Sequence, residues 1–193
     1  ATNATTGAYT FGGLARAQTK YTVCVSGIGA TGGTATYGHQ GQCLGEVPWT
    51  PVLETPRPPT GVQTVTVGKG SSATGVNLDL KPGGVIAGRV RDSDGNPVAG
   101  LPVDLVDTAT NIPLTVKTNA TGHYVARGLA PSTAGYTVCF DALEVRTGTG
   151  LLSQCWKGAP WTGDGAAAAT ATTVPVSESV IVTGISAALH AGG

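Results

Sequence analysis

The 193-residue chain carries eleven Lys and Arg against eleven Asp and Glu and is formally neutral, with only 11% of its residues charged. So sparse and balanced a charge leaves no electrostatic footprint for nucleic acid or anionic lipid, and no apolar run approaches the about 18 residues that a membrane-inserted helix needs. Thirty glycines, twelve prolines, no methionine and an apolar fraction of 40%, with Val, Ile and Thr in alternating runs, predict an all-β chain of short strands and many turns rather than a disordered one.

From the N-terminus, Thr6–Phe11 (TGAYTF) reads as a turn and then a strand with Tyr9 facing inward, closed at Leu14. A second strand follows at YTVCV, beginning at Tyr21, and a Gly- and Thr-rich loop leads from it to a short strand holding Cys43. Thr50–Gly61 is a polar excursion that Pro56, Pro58 and Pro59 stiffen. Gln63–Val67 and Gly75–Leu80 are predicted as closing strands, with Val76, Leu78 and Leu80 inward and Asn77 and Asp79 outward. The run VIAGRVRD from Val85 is a further strand. Asp94-Gly95 supplies the positive φ of a tight hairpin after it, and Pro97 fixes the exit. Leu101, Val103 and Leu105 share one face of the next strand, which Pro102 predicts to begin at a sheet edge. Thr121–Ala126 (TGHYVA) and Leu129 restate the opening motif. In YTVCF, alternation puts Tyr136 and Val138 on one face, Thr137 and Cys139 on the other. After loops at Asp141–Ser153 and Thr162–Thr173, the chain closes on Thr173–Val176 and Val180–Leu189. Ala166–Ala169 is too short to propagate a helix.

Much of this is said twice. Tyr9, Tyr21 and Cys24 stand 115 residues before Tyr124, Tyr136 and Cys139; Cys43 and Trp49 stand 112 before Cys155 and Trp161; Val67 and Leu80 stand 109 before Val176 and Leu189. Two small loop-length changes account for both drops. The expected organisation is a first unit over residues 1–84 and a second over residues 85–193, closing on Gly83-Gly84 and Gly192-Gly193. Ala1 aligns with Val116, so the first unit lacks a counterpart of Val85–Thr115, read as two strands and their link. A half-domain of that kind exposes a core face and an unpaired edge, which invite another strand. The expectation is that a preceding repeat or a neighbouring subunit supplies it.

The cysteines recur in the same register. Four cysteines permit three pairings, and a repeat that staples each unit within itself selects Cys24 with Cys43 and Cys139 with Cys155. Loops of 19 and 16 residues would each contribute roughly 3 kcal/mol in the chain-entropy picture. Disulfides place the chain in an oxidising, extracellular setting.

The order Gly88, Val90, Asp92, Gly95, Pro97, Gly100, then Thr118, Gly122, Tyr124, then Gly128-Leu129 and Tyr136-Thr137-Val138 resembles the carboxypeptidase regulatory-like domain, of the transthyretin-like and Cna-B-like sandwiches. The Cys139-Phe140, Ser153-Gln154-Cys155-Trp156 and Pro160-Trp161 pattern further resembles repeats in exported actinobacterial proteins. The resemblance covers residues 85–193 fully and residues 1–84 only from Gly7 and Tyr9 onward, with Asn3 where the motif has Thr. It implies tandem seven-stranded Ig-like (prealbumin-like) β-sandwiches, the first lacking its two N-terminal strands, secreted or at the cell surface and used as spacers. Some Cna-B-like relatives carry an internal Lys–Asn isopeptide bond. Here the strand that would hold the Lys reads Ala87-Gly88-Arg89 and Lys117 lies elsewhere, so none is expected.

Candidate chemistry is thin. His39, His123 and His190 sit in unrelated segments with no nucleophile placed beside them, and Asp104 and Asp107, three apart on a strand, face opposite sides. No cofactor and no enzymatic activity is expected. Asp92, Asp94 and Asn96 alternate oxygen ligands as the opening of a calcium loop does, without the distant bidentate acid that completes one; turn chemistry explains the same residues. Trp49 and Trp161 recur after a cysteine and could stack on sugar rings, or instead cover the disulfide. Asn3 and Asn119 each open an N-glycosylation pattern. The leading expectation is a stalk or fibre of disulfide-stapled modules whose partners are neighbouring repeats or subunits. The alternatives are an adhesion module contacting a glycan or surface protein through tryptophan, and an accessory domain of a secreted enzyme.

Overall fold

The computed structural model describes residues 2–3, 5–14, 20–27, 30, 36–50, 59–143, 150–163 and 170–192. The stretch around Pro56 and Pro58, and Ala166–Ala169, lie outside them. The chain divides into two compact units, Ala1–Pro82 and Gly83–Gly193.

In the first unit, β1 (Lys20–Thr22) and β2 (Cys24–Val25) follow one another along the YTVC motif, and β3 (Gln42–Cys43), β4 (Val47–Pro48) and β5 (Thr64–Thr66) complete the described ladders. β1 pairs with β5, and β2-β3-β4 form a second small antiparallel sheet. Two predicted strands are not paired. Thr6–Phe11 and Gly75–Leu80 take part in no ladder among the described residues. Val76, Leu78 and Leu80 are nevertheless half-buried while Asn77 and Asp79 are exposed. The alternation expected from the sequence is present; what is missing is a neighbour to bond with.

The second unit is a β-sandwich. One sheet has the order β12-β11-β10-β7-β8, where β7 is Pro102–Asp107, β8 Ile112–Lys117, β10 Ser132–Phe140, β11 Gln154–Cys155 and β12 Ala159–Pro160, with β13 (Val174–Val176) also on β10. The other is built around β6 (Gly84–Asp92). β9 (His123–Leu129) lies antiparallel on one edge of it. On the other edge β14 (Ile181–Val182) and β15 (Ala187–Leu189) run parallel to Val85–Ile86 and to Val90–Asp92. A short 3₁₀ turn at Trp156–Gly158 links β11 to β12. Period-two alternation buries Ile86 and Val90 from β6, Leu105 and Val103 from β7, and Val138 and Phe140 from β10, all without exposed surface. Leu101, Ile185 and Leu189 fill the same core. Tyr124 meets Phe140 edge-on, with ring centroids 6.1 Å apart.

Several expectations need correction here. The stretch from Val85 to Thr115, read as two strands and a link, also contains most of β8. Pro113 obscured that strand, and β8 tolerates it because it is the outermost strand of its sheet. β7 does not begin at an edge but lies between β10 and β8; Pro102 is tolerated as its first residue. The paired closing strands each join an earlier strand of their own unit. β5 joins β1, β13 joins β10, and β14 and β15 both join β6. The hairpin turn takes the expected form, with Gly95 at φ 86°.

Candidate functional site

Each unit carries one disulfide, across the first pair of an antiparallel ladder. Cys24 faces and is bonded to Cys43, and Cys139 faces and is bonded to Cys155. The next rung also matches, Gln42 opposite Pro48 and Gln154 opposite Pro160. Trp161 is 9% exposed and packs against Cys139 and Cys155, so it presents no open face on which a sugar ring could stack. Trp49 is half-buried, its backbone N–H donating to the Gly41 carbonyl. Trp156 lies partly buried against the main core, with the Lys157 ammonium 4.6 Å from its ring centre.

The remaining candidate residues are used locally. The Asp92 carboxylate accepts from the backbone N–H groups of Asp94 (3.0 Å) and Asn96 (2.8 Å) and from the Asn96 side-chain amide (3.2 Å). Desolvation opposes its charge, but the hydrogen bonds from Asn96, Asp94 and Gly95 outweigh that and hold its carboxyl below the ordinary range. Its oxygens thus shape the turn. Asn119 Oδ1 accepts from the N–H groups of Thr121 and His123, and Asn3 Oδ1 from those of Thr5 and Thr6, so both asparagines of the glycosylation patterns cap turns. Asp107 is buried and accepts from the hydroxyls of Ser132 (2.8 Å) and Thr110 (2.9 Å); Asp104 accepts from Thr115. These two carboxylates therefore serve separate partners. His123 Nδ1 lies 3.0 Å from Thr121 Oγ1. Among the described residues no three His, Cys, Asp or Glu side chains converge as a metal site would require, and no helix is long and apolar enough to cross a membrane.

A feature that sequence reading missed is the way a tyrosine hydroxyl bridges the sheet. In the second unit Tyr124 Oη donates to the Ile185 carbonyl at 2.6 Å, and β6 passes the bridge at Gly88. A Cβ on Gly88 would lie 1.8 Å from that carbonyl oxygen and 2.9 Å from Tyr124 Cε1. Only glycine lets the strand through. The first unit makes the same bridge, Tyr9 Oη to the Val76 carbonyl at 2.6 Å, but none of its described strands runs past it. The surrounding contacts recur too. Tyr21 faces Val65 as Tyr136 faces Val174, and the Gln42 amide donates to the Asp79 carbonyl (3.0 Å) as the Gln154 amide does to that of Ala188 (3.2 Å). The signal was available in the sequence, since Tyr9 and Tyr124, and Val76 and Ile185, hold the repeat offsets.

What differs is cover. Ala126 and Leu129, on β9 alongside β6, are 0% and 3% exposed, whereas their sequence counterparts Phe11 and Leu14 are 62% and 40% exposed. Ile185 and Leu189 are buried, and their counterparts Val76 and Leu80 only half so. The first unit therefore has two banks, residues 8–14 and 76–80, tied by a tyrosine bridge and open where β6 lies in the second unit.

The family model of the carboxypeptidase regulatory-like domain matches residues 85–153. No curated protein matches the chain. The matched stretch runs from the glycine-bearing β6, through the Asp94-Gly95 hairpin and the bridging Tyr124, to the loop before the second cysteine of its unit. Over residues 85–153 the chain is thus similar to the carboxypeptidase regulatory-like domain.

Proposed function

We propose that the chain is a stretch of an extracellular stalk or fibre built from tandem disulfide-stapled sandwiches, whose first unit is completed by strands from a preceding repeat or a neighbouring subunit. Domains of the matched family are non-catalytic, and two disulfides fit an oxidising, extracellular or surface setting. The observation that carries the reading is the recurrence of one contact set in both units. Tyrosine bridge, cystine ladder and glutamine-to-carbonyl bond fall at the same register, while the apolar groups that β6 covers in one unit stand open in the other. Unpaired banks of this kind are a ready template for pairing with another strand.

The test is a fusion. A second copy of residues 84–117, the span of β6 to β8, is joined ahead of Ala1, and unfolding of the first unit is followed by hydrogen exchange at Tyr21 and Val65. The expected result is a later, more cooperative opening of the first unit than in the 193-residue chain. Equal exchange with and without the added strands overturns the reading.

A further inference from the structure

The geometry points to a specific partner for the open banks of the first unit: one extended polypeptide strand with the pattern of Gly84–Asp92, inserted with a glycine opposite Tyr9. This rests on the reading of that unit as a strand acceptor and adds what the acceptor selects. In the second unit β6 runs antiparallel to β9, with Ile86 opposite Ala126, Ala87 opposite Val125 and Gly88 opposite Tyr124, and parallel to β15, with Val90 beside Ala187 and Asp92 beside Leu189. Carried across by the repeat offsets, the incoming strand lies antiparallel to Phe11, Thr10 and Tyr9 and parallel to Leu78 and Leu80.

Three observations define its chemistry. The bridge from Tyr9 to the Val76 carbonyl is already made at 2.6 Å, the same length as its counterpart over Gly88. The acceptor is therefore set for a strand with no Cβ at that point, and a larger residue would have to break the bridge to enter. The side chains lining the banks on the core side are apolar, Phe11 and Leu14 from one and Val76, Leu78 and Leu80 from the other, so the donor needs apolar residues at alternate positions as Ile86 and Val90 provide. Lys81, which follows the 76–80 bank, pairs with Glu46 at 3.2 Å, and Asp79 is exposed while its neighbours Leu78 and Leu80 are half-buried, so the apolar side of the bank carries no charge for a donor to match. The partner is thus an uncharged-cored β-strand with a central glycine, recognised by backbone hydrogen bonds and by the width of the tyrosine bridge.

The experiment adds a nine-residue peptide with the sequence of residues 84–92 to the ¹⁵N-labelled 193-residue chain and reads amide exchange in the first unit only, so that exchange of the peptide into the second unit does not confuse it. The expected result is at least tenfold slower exchange at Val76, Leu78 and Leu80, and a Kd at least tenfold weaker for a peptide carrying the Gly88→Val change. Equal protection by both peptides overturns the glycine selection. No protection by either peptide, where the fused copy of residues 84–117 does stabilise the first unit, overturns recognition of this strand while leaving the acceptor reading in place. No effect from peptide or fusion removes both.

Discussion

Gly88→Ala puts a single methyl group where β6 crosses the tyrosine bridge, and the structure fixes its cost. The added Cβ would stand 1.8 Å from the Ile185 carbonyl oxygen and 2.5 Å from its carbon, against the 3.4–4 Å of ordinary contact. Ile185 meets it with backbone, so no rotamer change relieves the clash; β6 or the chain at Ile185 must shift by more than an ångström. That shift breaks the Tyr124 bond to Ile185 (2.6 Å) and the Ile185 N–H bond to the Ala87 carbonyl (3.3 Å). Overpacking costs about 1–3 kcal/mol, and a buried hydrogen bond lost with its partner stranded adds about 1–3 kcal/mol. A total of about 2–6 kcal/mol follows from those two terms, which lowers the Tm of a unit this size by roughly 10 °C or more. Gly184→Ala is the control, because that residue sits at φ 80° with nothing within 4 Å. It carries only the left-handed backbone penalty of about 1 kcal/mol. In a Trp49→Phe background both remaining indoles lie in the second unit, so urea unfolding followed by tryptophan fluorescence reports that unit. A Gly88→Ala protein no less stable than Gly184→Ala would refute the argument that the strand threads the bridge only through glycine.

Two further outcomes are expected. Burial pushes the phenols of Tyr124 and Tyr136 well above the ordinary value of 10.0, and the nearby Asp107 charge raises Tyr136 further. Because the folded state keeps these phenols neutral while the unfolded chain ionises them near pH 10, their contribution is complete below that pH and is lost as pH rises beyond it. The urea midpoint should fall steeply above pH 10, and a Tyr124→Phe, Tyr136→Phe variant should show a flatter profile over the same range. Trp161→Ala uncovers the Cys139–Cys155 bond; its reduction by dithiothreitol, followed by peptide mass mapping, should accelerate several-fold while that of Cys24–Cys43 is unchanged.

How much of this was legible before any coordinates depends on which force sets each feature. The alternation of Leu101, Val103 and Leu105 and of Tyr136 and Val138 was readable because burial imposes period two on any half-buried strand. The Asp94-Gly95 turn was readable because few residues accept its backbone. Pairing was not. Whether Gly75–Leu80 forms a strand depends on a neighbour supplied by a distant segment, and the same alternating sequence serves with or without it. β8 was missed because Pro113 reads as a breaker unless its edge position is known. The tyrosine bridge joins a side chain to a backbone carbonyl 61 residues away in the second unit, and backbone groups have no letter in a sequence. Trp161 was readable as either exposed platform or cystine cover, and only its burial separates the two.

The parallel ladder between β6 and β15 has a consequence for a chain pulled from its ends. β6 opens the second unit and β15 nearly closes it, so tension drags the first residue of one strand and the last residue of the other in opposite directions along their common axis. The bonds joining Val90–Asp92 to Ala187–Leu189, and those joining Val85–Ile86 to Ile181–Val182, are then loaded in shear and share the force. They cannot be peeled apart rung by rung, and the unit yields only when all of them slip together.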